Sequence, residues 1–274
     1  MPTEILGANL GHQRSAGAAS GVAMTTSSAF TPFHLGTEHI DLIPRNFSGA
    51  AVARYALCPY LVILKAESST DLAGPLSDYS AIAQDGSTST TVDLSSLASG
   101  RNVYVGSAIP FRGVNIDVNA TNSTSNTDLT VYYWAGSWVD ISDSDGTSSS
   151  VSLDRDGSVT WAVPSAWQSA SLVKIDGSVN SSLHWRDVPM YWTKWNWDEA
   201  LDSTVTLDHM LGINESTAYA EVPASLGTGM RIHHGFGSNG IAGIETLTNA
   251  GTGNMLLTCS ALNGYFSTGK LTTV

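Results

Sequence analysis

Charged residues are scarce in this sequence. Asp, Glu, Lys and Arg supply 13% of its 274 residues, about half the usual globular share. Cations are scarcer still, with 12 Lys plus Arg against 24 Asp plus Glu and a formal charge of −12, and they form no basic run. A nucleic-acid binder needs cations to replace the counterions released from phosphates, so nucleic acid is not an expected partner. The same sign disfavours docking on an anionic membrane. No apolar stretch approaches the roughly 18 residues of a spanning helix. The opening MPTEILGANLGHQRSAGAAS lacks both the basic and the continuous apolar region of a secretory signal, so assembly in the cytosol is the expectation. On that expectation the formal glycosylation triplets at Asn46, Asn119, Asn122, Asn180 and Asn214 read as turn asparagines.

Cysteine is almost absent. Cys58 and Cys259 lie in the apolar runs ALCPYLVIL and NMLLTCSAL, where buried thiols are expected, a long-range disulfide being the alternative. Neither has a Cys-x-x-Cys partner. Catalytic signatures are missing too: no GxSxG, HExxH or P-loop occurs, and no GxGxxG stands in a strand-to-helix context. Among so many serines a Ser, His, Asp triple means nothing without geometry. Asp143 with Asp145, and Asp154 with Asp156, could be acid pairs or a calcium loop, but SDSDGT and DRDGS lack the EF-hand ligand series. Asp-Gly is also a favoured turn, which explains the spacing without a metal. His233 and His234 are adjacent and would face opposite sides of a strand; His34, His39, His184 and His209 are scattered, and His184 with Asp187 has no flanking nucleophile. The expectation is a protein with no enzymatic activity, cofactor or metal.

Hydrophobic residues are plentiful at 42%, and Ser and Thr make up nearly a quarter of the chain. From residue 51 onward AVARYALCPYLVILK, NVYVGSAIP, RGVNIDV, LTVYYW and WVDIS read as strands separated by Gly, Asp and Asn turns, with Pro59 at an edge or bulge. VSLDRDGSVTWAV reads as a hairpin about Asp156 and Gly157. The pattern predicts an all-β fold, a β-sandwich or jelly roll over residues 41–215. Residues 1–40 are rich in Gly, Ala, Ser and Thr without clean periodicity, and read as an N-terminal arm ordered by contacts to a neighbour. Residues 216–274 are Gly-rich and read as a C-terminal β subdomain or a second assembly arm.

All eight tryptophans fall between residues 134 and 197. Strand alternation sorts them. In VTWAV, Trp161 shares a face with Val159 and Val163. In YWTKWNW, Trp195 and Trp197 share a face with Tyr191 and Thr193, while Trp192 shares the other with Lys194 and Asn196. Trp161, Trp195 and Trp197 are therefore predicted to lie in the fold core, and Trp138 and Trp167 are placed there with them. Trp192, Lys194 and Asn196 are the candidate partner surface, and an aromatic row of this kind could also be a sugar platform.

The succession YYWAGSWVDIS, DGTSSSVSLDRDGSVTWAVPSAW and VPMYWTKWNW, over roughly residues 128 to 210, resembles accessory virion proteins of tailed bacteriophages. The recurring W-V strand, D-G-T turn, G-x-V-T-W-x-x-P-x-x-W hairpin and Y-W strand match at Trp138, Gly146, Thr147, Gly157, Trp161, Pro164, Trp167, Tyr191 and Trp192. The sequence departs from that pattern after the Y-W strand, where an Arg-containing strand is usual and Lys194, Trp195 and Trp197 stand instead. The resemblance implies fold-forming residues at these positions and a structural β module of a virion. The expected role is a capsid decoration or cement protein on the outer surface of the head, with the major capsid protein and copies of itself as partners. The alternative is a tail or baseplate component with glycan or host-receptor binding.

Overall fold

The computed structural model describes residues 14–16, 22–26, 29–32, 39–47, 51–68, 72–214, 220–222, 230–233 and 241–260. Among these the chain is all-β, apart from a short α-helix, Leu172–Ile175, and a single 3-10 turn, Ile82–Gln84. It divides into two compact units, Cys58–Thr217 and a second formed by Met1–Leu57 with Ala218–Val274.

The unit Cys58–Thr217 is a sandwich of two antiparallel sheets. One runs in the order Ser144–Asp145, Gly157–Thr160, Phe111–Ala120, Thr206–Asn214, Val92–Asp93. The other runs Trp138–Asp140, Leu129–Trp134, Met190–Trp197, Asn102–Ser107, Val62–Ala66, Leu76–Asp78, with the short strand Ser169–Ala170 also paired to Met190–Trp197. β-branched and aromatic residues alternating with polar ones make these segments strands, since each strand then presents one apolar face. The inward faces meet in a core that includes Ile63, Val103, Val105, Phe111, Val114, Val131, Val159 and Leu207, together with Trp161, Trp167, Trp195 and Trp197. The rings interlock edge to face, Trp161 at 5.4 Å from Phe111 and 6.3 Å from Trp195, an arrangement favoured by the aromatic quadrupole.

A further layer lies on the outside of the larger sheet. Val62, Leu64, Tyr104, Met190 and Trp192 are buried there with Leu72, Leu172 and Val179, and Leu183 and Trp185 pack against them. The cover comes largely from residues 172–185, where Leu172–Ile175 is followed by turns. Such a segment has no period to betray its apolar side, so this layer is invisible to strand alternation.

Two strand readings are corrected. AVARYALCPYLVILK is broken into Ala53–Pro59 and Val62–Ala66, because Pro59 cannot donate to a ladder and ends its strand. VSLDRDGSVTWAV is not a hairpin: only Gly157–Thr160 is a strand, and its partners are Phe111–Ala120 and Ser144–Asp145. Residues 151–156 are turns and bends that keep Val151, Ser152 and Leu153 buried. Gly157 and Gly146 make the resulting close crossing possible, since a Cβ on Gly157 would collide with the Gly146 carbonyl.

In the second unit, strands from both ends of the chain share sheets. Arg14–Ala16, Val22–Met24 and His39–Arg45 all pair with Gly253–Ser260, and Met230–His233 adds to His39–Arg45. The other sheet runs Ala220–Val222, Ala53–Pro59, Ile241–Thr248, Ala29–Pro32. Met24, Leu42, Ala53, Val222, Ile244, Met255 and Leu257 form its core. Cys58 is buried, and the side chain of Cys259 lies outside the described residues, as do His34 and His234.

Candidate partner-binding face

The strand Met190–Trp197 lies inside the larger sheet, between Leu129–Trp134 and Asn102–Ser107. Its alternation directs Trp195 and Trp197 into the inter-sheet core and Trp192 to the opposite face. Each buried indole finds an acceptor: Trp161 Nε1 donates to the Phe111 carbonyl at 2.9 Å, Trp167 Nε1 to the Trp192 carbonyl at 3.2 Å, Trp195 Nε1 to Thr193 Oγ1 at 2.9 Å, and Trp197 Nε1 to Ser152 Oγ at 3.0 Å. A buried N–H left without an acceptor would be costly, so these bonds fix ring orientation as well as burial.

Trp192 is 0% exposed, so its assignment to a partner surface is corrected. Its Nε1 donates to the Ala170 carbonyl at 3.0 Å. Its ring occupies the space left by Gly106 on the next strand, where a Cβ would stand 2.5 Å from Trp192 Cε3. Trp138 is corrected in the other direction. It is half-buried on the outer face rather than in the inter-sheet core, 6.0 Å from Tyr104 and 5.3 Å from Trp134 between ring centroids.

Lys194 and Asn196 are half-buried on that outer face. Strand register brings Tyr132 and Tyr104 beside Lys194, and Thr130 and Asn102 beside Asn196. Trp134 and Trp138 form the next pair along, and Asp140 lies across from Tyr132. The Lys194 ammonium stands 4.5 Å from the Tyr132 ring centroid and 5.5 Å from that of Trp138, within the range of cation–π attraction. Burial pulls its pKa down. Asn196 Nδ2 donates to Asn102 Oδ1 at 3.1 Å. The result is a ribbon of rings, one ammonium, amides and the Asp140 carboxylate that runs into the edge strand Trp138–Asp140, whose Val139 is 39% exposed. Tyr132 and Trp134 belong to this ribbon although nothing in LTVYYW alone singles them out; the signal is the matching alternation of LTVYYW and YWTKWNW once the two are paired.

Of the acidic pairs, Asp145 and Asp154 hold local turns, while Asp143 and Asp156 accept backbone N–H groups from other strands. Asp143 accepts the Val131 N–H at 2.9 Å, and burial raises its pKa. Asp145 accepts the N–H and hydroxyl of Thr147. Asp154 is pulled down to about 2 by the Ser149 hydroxyl and then by the N–H groups of Ser149, Ser150 and Val151. Asp156 accepts the Val118 N–H at 2.9 Å. Asp187 takes Arg186 at 2.9 Å, and His184 lies edge-on against Trp185. A bulge in Thr206–Asn214 inserts Asp208 between the residues facing Asp117 and Val118. Asp208 is 8% exposed, and its pKa is raised by burial and then by Asp117; His209 Nδ1 lies 3.4 Å from Asp117 Oδ2. Among the described residues no group of three or more His, Cys, Asp or Glu is arranged to hold a metal ion.

Comparison with protein-family models, with curated proteins and with solved structures found no match.

Proposed function

We propose that this chain is a non-enzymatic structural protein of a virion, a decoration or cement protein seated on the outside of a tailed-phage head and binding the major capsid protein and copies of itself. The observation that carries the reading is how the aromatic residues are used. Trp161, Trp167, Trp195 and Trp197 hold the two sheets together, and Trp192 seals the outer layer. Tyr132, Trp134 and Trp138 stay half-buried on the outer face together with Lys194 and Asn196, in a ribbon that runs into the edge strand. A sheet face with half-buried aromatics that ends in a sheet edge suits contact with another protein surface, where Trp and Tyr supply much of the binding energy. The sequence resemblance over residues 128 to 210 and the low-charge Ser/Thr surface support the same reading. Moderate contacts of this kind, repeated over a symmetric shell, add up through multivalency.

The test is imaging of particles before and after selective removal of this protein. Density lost over the shell is the expected result. An intact shell with a missing tail feature refutes the head position and favours the tail or baseplate alternative.

A further inference from the structure

We propose that the ribbon formed by Tyr132, Trp134, Trp138, Lys194 and Asn196 is a binding site for a saccharide bearing a carboxylate. This goes beyond the decoration role and does not depend on it. The chain has twice as many acids as bases, so an internal cation has every opportunity to find a carboxylate. Lys194 makes no ion pair with a described residue, and its ammonium lies over the Tyr132 and Trp138 rings. Burial depresses its pKa, and Asp140, which the register places beyond Tyr132 on the next strand, makes no ion pair with it. A half-buried lysine whose ammonium lies against two rings is partly positioned in advance, and an arriving carboxylate supplies the ion pair that the described residues do not.

The surroundings select a sugar rather than a bare anion. Trp134 and Trp138 meet edge to face at 5.3 Å on the same sheet face, offering ring surface to pyranose C–H groups. The Asn196 carboxamide, tethered through its nitrogen to Asn102 Oδ1, keeps its oxygen without a hydrogen bond from any described residue and can accept a hydroxyl. Rings, amide and ammonium lie on three adjacent strands of one sheet, so they are held by the ladder rather than by loops. The net charge of −12 repels anions at long range, but that field is screened beyond about 8 Å at physiological ionic strength, while Lys194 acts at contact.

The experiment titrates the full chain with a glucuronate-containing and a sialic-acid-terminated oligosaccharide, each beside a twin whose carboxyl is reduced to the alcohol. Tryptophan fluorescence and calorimetry read the binding. At least one acidic form should bind about tenfold or more tightly than its reduced twin, with an affinity that falls as salt rises. Lys194→Met keeps the aliphatic stem and should abolish the preference without lowering the melting temperature; Lys194→Arg should retain much of it. Equal binding of acidic and reduced forms, no binding of either acidic form, or an undiminished preference in Lys194→Met overturns the proposal. A poly-glutamate peptide that competes as well as the saccharides also overturns it, and would assign the ammonium to a protein partner.

Discussion

At the scale of single residues, the tryptophans divide by the face they occupy and by what covers that face. Truncating a large buried ring costs about 3–5 kcal/mol. Trp195→Ala and Trp161→Ala should each lose stability of that order in denaturant unfolding. Trp192→Ala should lose a comparable amount, because the ring is enclosed between Gly106 and the segment that carries Leu172 and Val179. An unchanged unfolding midpoint for Trp192→Ala would mean that the outer layer does not close over it. Asp154 gives a different kind of test. Its folded pKa of about 2 lies below the ordinary carboxylate value, so its contribution is complete above about pH 4 and is lost as pH falls toward 2. Asp154→Asn should therefore flatten part of the acid limb of a stability-versus-pH curve between those values and leave the limb above pH 5 unaltered. Parallel curves for the two proteins throughout the acid range would show that the serine cradle does not hold the carboxylate in solution.

At the scale of elements, Met190–Trp197 is paired on both sides and packed on both faces. Its amides should exchange with solvent only on global opening, whereas those of Arg14–Ala16 and Val22–Met24, short strands attached to Gly253–Ser260, should exchange by local opening. Residue-resolved hydrogen exchange reads this directly, and equal protection of all three would contradict it. The edge strand Trp138–Asp140 offers a second test. Val139→Lys adds a charge on an exposed edge position, a device that blocks strand-to-strand association. It should leave the melting temperature within a few degrees and weaken attachment to the particle, as measured by co-sedimentation; undiminished attachment would remove this edge from the interface.

The same scale explains what was legible in the sequence. The period of two in YWTKWNW and VTWAV places Trp161, Trp195 and Trp197 inward and Trp192, Lys194 and Asn196 together on the other face, as the structure has them. Periodicity sorts faces, but it carries no information on whether a face is covered. Trp192 is buried by an irregular segment whose Leu172, Val179 and Leu183 have no repeating spacing. Trp138, expected in the core, stands on the outer face, because the register that sets it opposite Trp134 is a pairing fact and not a local one. The hairpin at Asp156 and Gly157 fails for a related reason. Asp-Gly signals a turn, but the strand that follows pairs with Phe111–Ala120, far away in sequence, while Val151 and Leu153 before the turn are drawn into burial.

At the scale of the whole molecule, an acidic, lightly charged composition goes with a sandwich filled by indoles and a second unit built from both chain ends. On the proposed reading the chain is a shell component, which needs only to be stiff, soluble and adhesive over many weak contacts. The most direct measurement is the temperature at which heads release their packaged genome, with this protein removed and then added back in purified form. The account predicts that stripped heads release at lower temperature and that saturating amounts of the chain restore the original value, with stoichiometric binding to the shell. Equal release temperatures in all three preparations, with no chain bound to the heads, would contradict it.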